Sequence, residues 1–163
     1  MNGYATRNYI ISRLSSYLDL EIRLWGQSEL IPSPPYGYYT NLTADESETH
    51  LGVSVYEPID ENNVWHLLGE QFVFTISLNF VGKTEEEAYF LCKKARDWFM
   101  HVCYDDLTHE DIVIRNVSPI GDRTIFELTE PSKRWGFDVG IRYTDTIEKI
   151  ISTAKISIEE EID

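Results

Sequence analysis

The chain has 163 residues, 42% of them hydrophobic and 13% aromatic, enough to bury a core without disulfides or metals and cramped for two domains. Asp and Glu number 28 against 14 Lys and Arg, a formal net charge of -14. General affinity for nucleic acid or for an anionic membrane needs a dense cationic face, so this balance argues against both.

The first patterned segment is helical. In Asn8 to Leu20, Ile10, Leu14, Tyr17 and Leu18 recur at helix spacing, Ile11 widens the stripe, and Thr6 is the expected cap. Arg13 and Asp19 interrupt every apolar stretch there, so neither a signal peptide nor a spanning helix is read, and the chain is expected to be made and kept in a cytosol. Glu21 to Trp25 alternates as a strand ended by Gly26. Pro32, Pro34 and Pro35 forbid helix through the next connection, and Tyr36 to Leu42 resumes an extended pattern.

Acid concentrates in residues 41 to 65, an expected loop or hairpin excursion. Asp45, Glu46, Glu48, Glu57, Asp60 and Glu61 lie there with no Lys or Arg, around a strand-like Leu51 to Tyr56. Gln71 to Val81 is the clearest strand. Phe72, Phe74, Ile76, Leu78 and Phe80 share one face, and Gln71, Thr75, Ser77 and Asn79 the other, which predicts a sheet covered on one side.

After Gly82, Thr84 caps a second helix with Glu87 in the capping-box position. Its predicted buried stripe is Ala88, Leu91, Cys92, Ala95, Trp98, Phe99 and Val102. Cys92 and Cys103 fall in this one helix about 16 Å apart along its axis, so they cannot bridge while it is intact. The Asn41-Leu42-Thr43 sequon then has no glycosylation compartment behind it. Extended segments follow at Asp111 to Val117, Thr124 to Leu128, Gly136 to Thr144 and Ile150 to Ile158. Turns are predicted at Gly121-Asp122 and at Glu130-Pro131-Ser132. Helix, strands, helix, strands predicts a single α+β domain over residues 1–163, with a mainly antiparallel sheet and two helices on one face.

No catalytic, cofactor or metal residues are nominated. No histidine pair has the spacing of a zinc-binding helix, and His109-Glu110-Asp111 lacks the second histidine one turn on. Cys92 lies in the apolar stripe of the second helix, where a small buried side chain is the usual finding, and Gly136 and Gly140 flank strand residues, not a phosphate-cradling turn. The acidic excursion lacks the residue order of a calcium loop. Aromatics are more telling. Trp98 fits the helix core, whereas Trp65 and Trp135 sit beside turns or strand beginnings and are candidates for contact with another chain, the alternative being edge packing. Asp138 and Arg142, opposite the Phe137 row, suit cross-strand or inter-subunit pairing, or a solvated face.

The order of motifs carries a resemblance. Pro34-Pro35-Tyr36, the Phe72 to Phe80 strand, Glu87-Ala88 leading to Arg96-Asp97-Trp98-Phe99, and Arg134-Trp135-Gly136-Phe137-Asp138-Val139 with Arg142, Asp145 and Ile147-Glu148 resemble the neck terminator proteins of tailed bacteriophages, over roughly residues 8 to 158. The resemblance implies a structural virion protein of the tail or neck, found in the host cytoplasm during assembly. It implies a ring of identical subunits, a hexamer, that caps the tail tube and meets the head connector while DNA passes through its lumen. It implies no enzymatic activity and no cofactor. The excursion at 41–65 and the acidic tail Glu159 to Asp163 lie outside what it explains.

From these readings, Trp65, Arg134, Trp135, Asp138 and Arg142 are the subunit-interface candidates. Asp45, Glu46 and Glu48 are expected to face the lumen, where carboxylates repel passing phosphates within a Debye length of about 8 Å. Partners are then further copies of the chain, the tail tube protein and the head connector, with no specific nucleic-acid binding and no membrane. The alternative is an acidic protein-binding module, an inhibitor that mimics the charge of DNA.

Overall fold

Asn2 opens the first helix, α1 (Gly3–Leu18), by accepting the Ala5 amide on its side chain at 2.9 Å. The computed structural model describes residues 2–26, 30–48, 52–126 and 131–152. Thr6, expected as the cap, is fully buried inside α1 and donates its hydroxyl to the Asn2 carbonyl, because the buried stripe extends back through Thr6 to Gly3. Asp19, left-handed at φ 50, closes the helix with its amide on the Ser15 and Ser16 carbonyls, so Leu20 lies outside it.

The main sheet is mixed and mostly antiparallel. Its strands are β1 (Ile22–Leu24), β2 (Tyr36–Asn41), β3 (Glu46–Ser47), β4 (Val53–Pro58), β5 (Asn63–Val81), β6 (Ile112–Val117), β7 (Gly121–Asp122) and β10 (Arg134–Ser152). The spatial order is β1-β2-β5-β10-β6, with β1 parallel to β2. β3 and β4 also pair with β5, and β7 with β10. A separate two-stranded sheet joins β8 (Ile125–Phe126) to β9 (Pro131–Ser132).

β5 and β10 form the spine, paired antiparallel from Arg134↔Val81 at one end to Ser152↔Asn63 at the other. Four sequence expectations differ from the observed strands. β5 starts at Asn63, ahead of the expected Gln71, and β10 runs unbroken through residues expected to separate two strands; residues 153–158 of the second lie outside the described ones. The polar residues that interrupt the alternation, such as Glu70 and Asp145, fall where neither face is packed as a core, so alternation is not required of them. Gly121-Asp122 is a short strand against Trp135 and Gly136, not a turn, and Pro131-Ser132 belongs to β9, an edge position where proline is tolerated; Glu130 is not among the described residues.

α2 (Glu85–Asp97) is capped by Thr84, which accepts the Glu87 amide at 3.1 Å. Glu87 accepts from the Lys83 amide, one residue before the cap. A π turn follows at Trp98–Val102, with the Cys103 amide reaching the Trp98 carbonyl at 3.0 Å, and then α3 (Tyr104–Thr108). That wider turn rotates the chain out of the α register. Val102, expected in the buried stripe, is therefore 48% exposed, while Cys103 takes the inward position.

The core joins Ile10, Leu14 and Leu18 of α1 and Cys92, Ala95, Trp98 and Phe99 of the second helical segment to Phe74, Ile76, Leu78 and Phe80 of β5 and Phe137, Val139 and Ile141 of β10. Burial holds both thiols in their neutral form, pushing Cys92 up to about 12 and Cys103 up to about 11.

Candidate assembly interface

Strand parity decides which side chains share a surface. On the face of β5 and β10 turned away from the core lie Ser77, Asn79, Asp138, Arg134 and Arg142, by their register across the pair. The expected open polar face is instead partly covered: Ser77 and Asn79 are buried under Arg123. The Arg123 guanidinium donates to Ser77 Oγ at 2.5 Å, Asn79 Oδ1 at 3.1 Å and Asp138 Oδ1 at 2.8 Å. Gly136 lets it lie so close. A Cβ there would stand 2.5 Å from the Leu78 carbonyl and 3.0 Å from Arg123 Cδ. The sequence offers no pattern that singles out Arg123, because its partners are 15, 44 and 46 positions away.

The interface candidates fall in different settings. Arg134 is buried, donating to Tyr38 Oη at 2.7 Å and Ser132 Oγ at 3.2 Å, with its guanidinium over the Tyr38 ring. Trp135 shares the core-side parity of Phe137 and meets Tyr89 edge-on at 5.2 Å. Asp138 is held by Arg123, and the Ser118 hydroxyl accepts its amide. Arg142 lies 3.7 Å from Glu48. Trp65 is the exposed one, level with Ile150 and Glu57 on the far half of the ribbon.

The acidic excursion is less bare than its sequence suggests, because distant cations fold onto it. Asp45 pairs with Arg7 at 2.6 Å, and Arg7 also covers the Phe74 ring. Glu48 takes Arg115 at 3.0 Å as well as Arg142. Glu46 is exposed and makes no ion pair among the described residues. Buried Tyr143 has its phenol pushed up to about 12, by burial first and then by Asp45 and Asp145. At the hairpin tip, the Asn63 side chain and the Asn62 amide hold Asp60 below its ordinary value.

Beyond Gln71, β4, β5 and β10 continue as a three-stranded ribbon that no helix of the core cluster covers. One side carries Tyr56 stacked on His66 at 4.7 Å, with Leu68 and Ile147 beside them; the other carries Val53, Val55, Trp65 and Ile150. Val53 is 67% exposed and Ile147 66%, so apolar side chains of both faces meet solvent. Contiguous apolar exposure of this kind is a feature of surfaces that contact proteins, membranes or ligands. No group of three or more metal-ligating side chains occurs among the described residues, and no helix among them is long and apolar enough to cross a membrane.

In comparison with protein-family models, residues 8–162 match the one described as Phage neck terminator protein. No curated protein matches the chain.

Proposed function

The chain belongs to the phage neck terminator protein family, matched from residue 8 to residue 162, and on that premise we propose that it closes into a homomeric ring, a hexamer, between tail tube and head connector. The family is one of structural proteins of the phage neck, which places the protein in the virion tail or neck. On this proposal the chain acts as one terminator-like domain and assembles in the host cytoplasm. The observation that carries the oligomer is the uncovered ribbon. Its exposed apolar rows on two faces supply the desolvated contacts that neighbouring subunits or the tube would bury. Trp65 is the anchor nominated there, with Arg134, Trp135, Asp138 and Arg142 nearer the core holding the shape of the surface on which subunits meet.

DNA passes through the lumen without adhering. Glu46, with Glu57, Asp60 and Glu61 on the ribbon, presents the repelling charge, while Asp45 and Glu48 tie the excursion to the sheet through arginines. Finding Glu46 on the outer rim of an assembled ring would remove this part of the proposal. The whole is tested by deleting the gene from its phage and imaging the lysate. Separate filled heads and tails are the expected result; normal joined virions would refute it.

A further inference from the structure

A cleft lies at the opposite end of the spine from the uncovered ribbon. It encloses about 690 Å³, and its lining includes Lys83, Lys133, Arg134, Ser132, Trp25 and Tyr36. No carboxylate lines it among the described residues, in a chain whose acids outnumber its bases 28 to 14. Lys83 and Lys133 make no ion pair among the described residues. Arg134 is 8% exposed, yet its guanidinium meets only neutral groups, two hydroxyl oxygens and the Tyr38 ring, and its Nε has no hydrogen-bond partner. A buried cation without a counter-charge is costly, so the site is built for an anionic occupant. Of the carboxylates nearest in sequence, Glu29 and Glu130 lie outside the described residues, and Glu85 to Glu87 head α2, where Glu87 is already engaged by the Lys83 amide. An adjoining apolar cleft of about 240 Å³ shares Trp25, Ile31 and Tyr36 and adds Leu24 and Leu30.

The geometry points to the acidic segment around Glu159 to Asp163 of a second copy of this chain as the occupant. That segment joins Glu159, Glu160, Glu161 and Asp163 to the apolar Ile156, Ile158 and Ile162, which matches a cationic cleft beside an apolar one. Insertion within one chain is excluded by reach. Arg134 and Ser152 are the two ends of β10, whose 18 residue steps at about 3.3 Å span roughly 60 Å. From Ser152 to Glu161 is nine residues, at most about 32 Å fully extended. The contact therefore runs from the ribbon end of one subunit to the cleft end of the next, a head-to-tail arrangement of the kind that closes rings. It rests on the self-association proposed above and names the surfaces that make it.

The test uses the full-length chain carrying E159K, E160K and E161K, which removes its own segment as a competitor, and a fluorescent peptide of residues 153–163. Anisotropy should show binding that weakens with added salt. K83E with K133E should weaken it about tenfold or more by placing like charges together, and a peptide with the three glutamates changed to lysine should regain affinity for that double variant. Both lysines lie outside the core, so folding is kept. No binding of the native peptide, or binding indifferent to K83E/K133E, overturns the proposal. So does lysine-dependent binding of a DNA duplex in place of the peptide. Electron microscopy of the otherwise native chain with tail tubes reads the ring separately: a ring that persists without peptide binding sinks the cleft assignment alone, and absence of any ring sinks the oligomer.

Discussion

The two halves of the β5–β10 spine are continuous in backbone pairing and opposite in environment. Between Phe72 and Phe80 the core face is sealed by α1, α2 and the π turn, and Phe74, Ile76, Leu78, Phe137, Val139 and Ile141 have no solvent exposure. Between Asn63 and Glu70 the same strands pair as regularly, but apart from the buried Val64 their Leu, Ile and Trp side chains remain half-covered or exposed. Hydrogen bonding thus sets how long the strands are, and helix cover sets where the core ends. The uncovered half is the surface proposed above for another subunit.

That contrast can be attacked most strongly in the sealed half. Leu78→Ala or Phe137→Ala should lower the unfolding free energy by about 3–5 kcal/mol in urea titrations, since each leaves a cavity in a packed site. A loss under about 1 kcal/mol would mean that this half is not the core. Arg123→Met tests the polar side of the same half. It strips the buried Ser77 and Asn79 of their donor and should cost about 1–3 kcal/mol in the same titration.

Thiol chemistry sharpens the comparison further. Cys92 and Cys103, both with raised values, should resist iodoacetamide at pH 8 in the folded chain and react at once in urea. Because a raised thiol value favours the neutral form, this stabilisation is complete below the ordinary thiol value near 9. It should decline as pH rises toward the folded values of about 11 and 12, visible as a falling melting temperature. The smallest effect on stability belongs to the uncovered half: Ile147→Ser and Trp65→Ser should shift unfolding by no more than about 0.5 kcal/mol while reducing assembly with tail tubes in pelleting assays. Equal destabilisation in both halves would erase the distinction.

Much of this architecture is legible along the chain. Alternation from Phe72 to Phe80, the Thr84 cap and the stripe from Ala88 to Phe99 are local patterns, written in neighbouring residues by strand and helix periods, and all three appear in the fold. The family is likewise legible in the sequence itself, which matches its model from residue 8 to residue 162. The sequence also shows acid concentrated near residues 41–65 and at 159–163, but not what meets it. Arg7, Arg115 and Arg142 reach Asp45 and Glu48 only because α1, β6 and β10 converge there, and the lysine cleft exists only because β5, β9 and β10 meet. Nor does local periodicity reveal the π turn that exchanges Val102 for Cys103, or the length of a strand whose far half buries little. The physical reason is range. Helix and strand periods are decided by residues a few positions apart, whereas ion pairing, cover and exposure are decided by whichever distant segments the topology brings into contact.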